Sequence, residues 1–390
     1  MNIASLIDKL SLFNWIILGT YFFFFVTQLF YYLYLFRKPY KQFSIKGKED
    51  IDEINIDALP GISIIITAEN EAENLLENLP YVLEQDYPNF QVVVVNNAST
   101  DTTDIVLSGL SHTYPNLYTT YIPIESELAN NKKLALTLGV KAAKHDILLF
   151  TEADSKPLSK KWVYEYAKEF IKGSDIVLGC CQLKFNKGLF QKYMRFDNMS
   201  FGINYLSMAL AKKPYMGIGR NMAYRKDLFF KKKGFSSIIN IDYGEDNLFI
   251  NQIANEKNTS VVLSPQSLVE SNVVNKLATW RKIKSKYLIT QKHLSGFKTQ
   301  ILGFEVFSRY VFYISFAILI VTGVFSYLNV FIWIAVILFL IRYAVQLSIL
   351  NKNSKIYNAG KFYLSIFVFD LTAPIFNYNY LRYERLRNRK

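Results

Sequence analysis

From Trp15 to Phe36 the chain reads WIILGTYFFFFVTQLFYYLYLF, without one charged side chain. As an α-helix this run is about 33 Å long, which matches the hydrocarbon thickness of a bilayer. A secretory signal would have a shorter apolar core and a cleavage site of small residues, so the run is expected to remain as an anchor. Lys9 is the one basic residue before it, whereas Arg37, Lys38, Lys41, Lys46 and Lys48 follow at once. Basic residues stay on the cytoplasmic side of a membrane, so the segment that follows is expected in the cytoplasm. The pattern returns at Tyr310–Leu328 and Val330–Leu350, two apolar runs joined by almost nothing, which predicts a hairpin. Arg342 near the end of the second can snorkel to the inner surface, and Lys352, Lys355 and Lys361 mark that side again. The last apolar run, 362–381, carries Asp370, Pro374 and two asparagines, and predicts a re-entrant or interfacial segment. Arg382, Arg385, Arg387, Arg389 and Lys390 then stay inside.

This divides the chain into an anchor at 1–37, a charged linker at 38–59, a cytoplasmic domain at 60–300, and a membrane region at 301–390 that holds the 310–350 hairpin. The net charge is +13, but the basic residues cluster beside apolar runs, as at a membrane surface. Nucleic acid is therefore not the expected partner. Cys180 and Cys181 are neighbours in an apolar stretch and read as reduced core residues; with three histidines and no ligand spacing, a zinc site is not expected.

Between the membrane runs the pattern alternates. Ile62–Thr67 (ISIIIT) is a continuous apolar strand, as in a parallel sheet covered on both faces. Glu71–Glu84 has helical spacing through Leu75, Leu76, Leu79, Val82 and Leu83. Gln91–Val95 reads as a strand, Thr102–Leu110 as a helix, Tyr118–Ile122 as a strand, and Lys132–Lys144 as a helix. Ile147–Phe150 and Asp175–Cys181 read as further strands. This order predicts a doubly wound, Rossmann-like α/β domain whose ligands bind at the carboxyl ends of the strands. Polar clusters fall at three such ends: Glu69–Glu71, Asn96–Asp101 and Glu152–Asp154.

The third cluster carries the most chemistry. In LLFTEADSKP the strand runs out into Thr151-Glu152-Ala153-Asp154, and strand alternation puts Glu152 and Asp154 on one side. Two carboxylates so placed can share Mg²⁺ or Mn²⁺ and leave positions open for phosphate oxygens. A polar turn after a strand would look the same in isolation. Gly217-Ile218-Gly219-Arg220-Asn221 lacks a third glycine and follows no clear strand, so it is not read as a dinucleotide loop. Arg220 and Asn221 read either as turn residues or as part of an acceptor side. Trp280–His293 reads either as an interfacial helix on anionic lipid or as a substrate element.

Four segments together resemble the inverting, GT-A-fold glycosyltransferases of family two, above all the membrane-anchored bacterial branch. They are ISIIITAENEAENL, VVVVNNASTD, KKLALTLGVKAAKHDILLFTEADSKP, and GIGRNMAYRK followed by YGEDNLFINQ. The similarity spans roughly residues 60 to 300. It implies a nucleoside-diphosphate sugar donor, a UDP-sugar first among them, and a glycan or lipid-linked acceptor. It also implies a divalent metal (Mn or Mg) and a multi-pass protein of the bacterial inner membrane with its catalytic domain facing the cytoplasm. By resemblance Glu71, Asn97 and Asp101 lie in the nucleotide loops, and Lys133 faces the donor. Glu152 and Asp154 stand at the D-x-D motif, with Asp154 the direct metal contact. Asp246 stands at the catalytic base, preceded by Glu245. Asn96, Asn97 and Glu152 depart from the aspartates usual there. The Q-x-x-R-W motif of processive synthases is absent, which favours single transfer over a polysaccharide synthase subunit. The departures also leave open a catalytically impaired, nucleotide-sugar-binding scaffold.

Overall fold

The computed structural model describes residues 12–46, 59–126, 131–272, 274, 276–294, 296–326 and 329–387. Most of the charged linker, 47–58, lies outside them. Helix α1 (Leu12–Phe30) runs through a π-helical turn, Tyr31–Phe36, into α2 (Lys38–Lys46). Lys46 ends α2 in an ion pair with Glu169, 2.5 Å away, which ties this N-terminal helical segment to the domain that follows.

That domain opens with β1 (Ile62–Ala68), α3 (Ala72–Leu83), β2 (Phe90–Asn97), α4 (Thr103–Thr113), β3 (Leu117–Ile122), α5 (Lys132–Ala142) and β4 (Ile147–Phe150). These four strands are parallel. Ile62, Ile64 and Ile65 of β1 are fully buried, as a strand with helices on both faces requires. Gly139 lets α5 lie flat on the sheet, because a Cβ there would stand 2.7 Å from Ile65 Cγ2. The chain continues through β5 (Ser155–Pro157), α6 (Trp162–Ile171), β6 (Ile176–Leu178), β7 (Cys181–Leu183), α7 (Leu189–Leu210), β8 (Met222–Arg225), α8 (Lys226–Lys231), α9 (Asn247–Ile253), β9 (Thr259–Val261) and β10 (Val269–Ser271). The main sheet has the order β3-β2-β1-β4-β8-β6-β9, and β5-β10-β7 form a second. The fold class is α/β as the sequence predicts, but the main sheet is mixed, because β8 runs antiparallel to both of its neighbours.

The single strand expected at Asp175–Cys181 is two strands in two sheets. Asn221, fully buried, holds the divergence open. Its amide donates to the carbonyls of Cys180 (2.6 Å) and Ser267 (3.0 Å) and accepts from Trp162 Nε1 (3.0 Å) and Tyr166 Oη (2.7 Å). All four of its hydrogen-bonding positions are used, as a buried amide demands.

The chain closes with α10 (Leu277–Thr290), α11 (Lys298–Phe325), α12 (Asn329–Asn353) and α13 (Leu364–Arg387). Among the described residues, Leu12–Lys46, α11 and α12 are long and apolar enough to cross a membrane. Tyr21, Phe312, Phe331 and Ala335 form the buried contact between them. Arg342 does not snorkel outward as the sequence suggested. It turns into the bundle, 1% exposed, and donates to Gln28 (2.7 Å), Tyr313 (3.0 Å), Gln346 (3.1 Å) and Asp370 (3.4 Å). A carboxylate on α13 provides the partner that an isolated hairpin lacks. From Leu364 onward the 362–381 run lies in the continuous helix α13, with Pro374 inside it.

Candidate active site

The exits of β1 and β4, the loop before α9 and one face of α10 enclose a cavity of about 520 Å³. Ile283, Lys286, Tyr287 and Thr290 of α10 form one wall, so this basic stretch is part of the site. Opposite stand Glu152, Arg220, Lys132, Glu245 and Asp246.

Glu152 and Asp154 leave β4 on one side, and Arg220 bridges them. Its Nε lies 2.8 Å from Glu152 Oε2 and its Nη2 3.2 Å from Asp154 Oδ2. Lys132 binds the other oxygen of Glu152 at 2.8 Å and reaches Glu245 at 3.2 Å. Asp154 also accepts from the hydroxyls of Ser155 (2.8 Å) and Ser271 (3.1 Å). Burial alone would raise the Glu152 carboxyl; Lys132 and Arg220 outweigh it and hold it far below the usual carboxylate range. The same carboxylates keep Lys132 and Arg220 firmly protonated against their own burial.

Asp246 is in the opposite condition. It caps α9, accepting from the Asn247 amide at 2.6 Å and from the Gly219 amide at 3.0 Å. Burial, and then the neighbouring Glu245 charge, raise its pKa to about 6. Gly244 makes the turn that presents this pair. Its φ is +104°, and a Cβ would meet Leu248 Cδ1 at 2.5 Å.

The nucleotide loops are less uniform. Asn97 ends β2, fully buried, with its amide nitrogen 3.4 Å from Glu69 Oε2 and its Oδ1 without a partner among the described residues. Glu71 accepts from Asn74 Nδ2 at 2.5 Å, and burial raises its pKa. Asp101 spends both oxygens on backbone, on the Ala72 amide (3.2 Å) and the Thr103 amide (3.0 Å), fastening the starts of α3 and α4 together. Lys133 directs its ammonium to the Ile241 carbonyl, and burial lowers its pKa. Its neighbour Lys132 is the lysine that enters the carboxylate cluster. Sequence analysis missed Lys132 and left Arg220 undecided. The pairing of Lys132-Lys133 at a helix start was the visible signal, and the phase set by the Asn131 cap, whose Oδ1 accepts from the Leu134 amide at 3.1 Å, decides between them.

Among the described residues no three His, Cys, Asp or Glu side chains converge as a complete metal site. Glu152 and Asp154 nevertheless offer hard oxygen donors that already share one cation, the Arg220 guanidinium. That donor set fits Mg²⁺ or Mn²⁺, which take remaining ligands from phosphate and water.

Residues 63–231 match the family model described as Glycosyl transferase family 2. The chain is 33% identical over 147 residues to Glycosyltransferase AglE of Haloferax volcanii, covering 36% of this chain and 46% of that protein. It is 26% identical over 141 residues to Poly-beta-1,6-N-acetyl-D-glucosamine synthase of Staphylococcus aureus, covering 36% and 29%. The matches thus span less than half the length of either relative. Among solved structures, the mannosyltransferase PcManGT of Pyrobaculum calidifontis, in complex with GDP-Man and Mn²⁺, superposes with a TM-score of 0.53 at 17% identity, covering 85% of this chain and 96% of that one. At that identity the likeness is one of fold.

Proposed function

We propose that the glycosyl transferase family 2 domain this chain carries at residues 63–231 transfers a sugar from a nucleoside-diphosphate sugar to a membrane-associated saccharide or lipid-linked acceptor, with inversion. The observation that carries this reading is the pairing of two unlike carboxylate sites in one cavity. Glu152 is held ionised by two cations, whereas Asp246 has a pKa of about 6. An inverting displacement needs a base to take the acceptor hydroxyl proton, and a base works best with a pKa near the working pH. Asp246 fills that role, with Glu245 raising its basicity. The leaving diphosphate gains charge, and Lys132, Arg220 and Lys286 line the cavity where it would develop. Asp154 and Glu152 would hold the divalent metal, which supplies further neutralisation of the diphosphate when bound.

On the donor side, Asn97 stands at the exit of β2 against Glu69 of the cavity, and its amide, once uncovered, could pair with the base of a UDP-sugar. Glu69, which Asn97 meets, and Glu71 two residues on belong to the first loop, Glu71 for the base or ribose, and Asp101 serves that loop by holding it in place. On the acceptor side, Tyr287 also lines a second cavity of about 150 Å³, bounded by Lys284 and by Arg309 and Asp370 of the membrane helices. An acceptor arriving from the bilayer is consistent with that adjacency. The 60–300 segment would then work on the cytoplasmic face of an inner membrane, where nucleotide sugars are made.

The test is nucleotide release by the purified full chain across UDP-, GDP- and dTDP-sugars, with Mn²⁺ or Mg²⁺. Metal-dependent release from one donor, lost in Asp154→Ala and Asp246→Asn, is expected. No release and no donor binding by calorimetry would overturn the reading and favour a scaffold role, and donor binding without release would mark the catalytically impaired, nucleotide-sugar-binding scaffold. The name of the staphylococcal relative favours a second reading, polymer synthesis, and product length separates it: one added sugar against a ladder.

A further inference from the structure

We propose that a groove at the Arg37 and Lys352 ends of two membrane-spanning helices binds an anionic phospholipid of the surrounding bilayer. The site is separate from the sugar-transfer cavity and does not rest on the transferase reading. The groove, of about 680 Å³, lies between the α1–α2 junction and the last turns of α12. Leu33, Val345 and Ile349 line its apolar part, and Arg37, Lys41 and Lys352 its basic part.

The two parts are ordered along the membrane normal. Asn353 Nδ2 donates to the Phe36 carbonyl at 3.0 Å, which sets the ends of the two spanning segments level. The uncharged run of the anchor ends at Phe36, and the cations begin at Arg37. The boundary between hydrocarbon and water therefore crosses the groove, with apolar side chains on one side and cations on the other. Lys352 stands 5.8 Å from the Tyr40 ring centroid, on the groove.

These three cations, like Lys38 beside them, which stands 4.8 Å from the Tyr34 ring centroid, differ from the paired cations of the bundle. Lys46 is paired with Glu169, Lys284 with Asp197, Arg309 with Glu305 and Asp370, and Arg342 with Asp370. Arg37, Lys41 and Lys352 have no carboxylate partner among the described residues. Three unneutralised charges at the headgroup level, above an apolar trough, match a phosphodiester headgroup with an acyl chain beneath it. A zwitterionic lipid would set its own ammonium against the same cations, so net anionic headgroups are preferred.

Native mass spectrometry of the full chain tests this, in mild detergent with equimolar phosphatidylglycerol and phosphatidylcholine of identical acyl chains. The wild type is expected to retain a phosphatidylglycerol adduct in preference to phosphatidylcholine. The triple variant Arg37→Gln, Lys41→Gln, Lys352→Gln should lose that preference by about tenfold or more. Lys141→Gln, Lys144→Gln, Lys257→Gln, which removes as much charge from exposed positions of the α/β domain, should keep it. Thermal unfolding of each variant checks that the exposed changes leave the fold intact. Equal retention of the two lipids by the wild type would overturn the proposal, as would equal loss of preference in the two triple variants.

Discussion

Two clusters in this molecule are made of the same parts. In one, Arg220 bridges Glu152 and Asp154; in the other, Arg309 and Arg342 meet Glu305 and Asp370. The first has carboxylates 26% and 27% exposed at the edge of a cavity, and the second has them 5% and 4% exposed between helices. In the open cluster water reaches the carboxylates, so under the proposed function the cations can exchange partners when a diphosphate arrives. In the sealed cluster the carboxylates are nearly withdrawn from water although a small cavity borders them, and removing one member leaves an uncompensated buried charge. Guanidinium and carboxylate thus serve exchange in one place and fixation in the other, and hydration decides which.

The comparison can be broken most forcefully at the open site. Asp246→Asn should lower turnover by about 10²- to 10⁴-fold, the usual contribution of a general base. Because asparagine also caps helices, thermal stability should hardly change. Equal losses of turnover and stability would make Asp246 a structural residue only. At the sealed site the pattern should reverse. Arg342→Met strands Asp370 with one cation fewer and should cost about 3–5 kcal/mol of stability. Denaturation in detergent would report that loss, while the folded fraction keeps its donor affinity.

Arg220→Gln sharpens the contrast. It removes the cation proposed to meet the diphosphate, and a charge-assisted hydrogen bond is worth roughly 1.5–3 kcal/mol, so the donor KM should rise about 10- to 100-fold. Melting should shift far less than for Arg342→Met, because Glu152 and Asp154 can hydrate. The smallest effect is one of pH. Asp246 must be ionised to accept a proton, and with a pKa of about 6 it becomes so as pH rises through that value. The acid limb of kcat/KM should therefore climb through about pH 6 and level above it. Glu245→Gln removes a charge that opposes ionisation, so the limb should move to lower pH. An unmoved limb would detach Glu245 from the base.

What the sequence disclosed follows the same division. Strands such as Ile62–Ala68 and helices such as Ala72–Leu83 were legible because burial is written as runs and periods of apolar residues. The segments long and apolar enough to cross a membrane were legible for the same reason. Glu152 and Asp154 were legible as a pair because alternation along a strand is local. Partnership between distant residues was not. Arg342 looked like a snorkelling cation because its partners, Gln28 and Asp370, lie on other helices. Arg220 read equally as a turn residue or as part of an acceptor side because the loop that carries it meets β4 only in the folded domain. The divided strand after Asp175 depends on Asn221, far along the chain. Lys132 and Lys133 differ only by helix phase, which the N-cap sets.

The most direct test joins binding and turnover at one residue. Once the donor is identified, it would be titrated calorimetrically into the wild type and into Asp246→Asn, and turnover measured in the same preparations. The account predicts donor affinities within about threefold of each other and turnover lost by at least about a hundredfold. An Asp246→Asn protein that binds donor normally and still transfers sugar at the wild-type rate would contradict it.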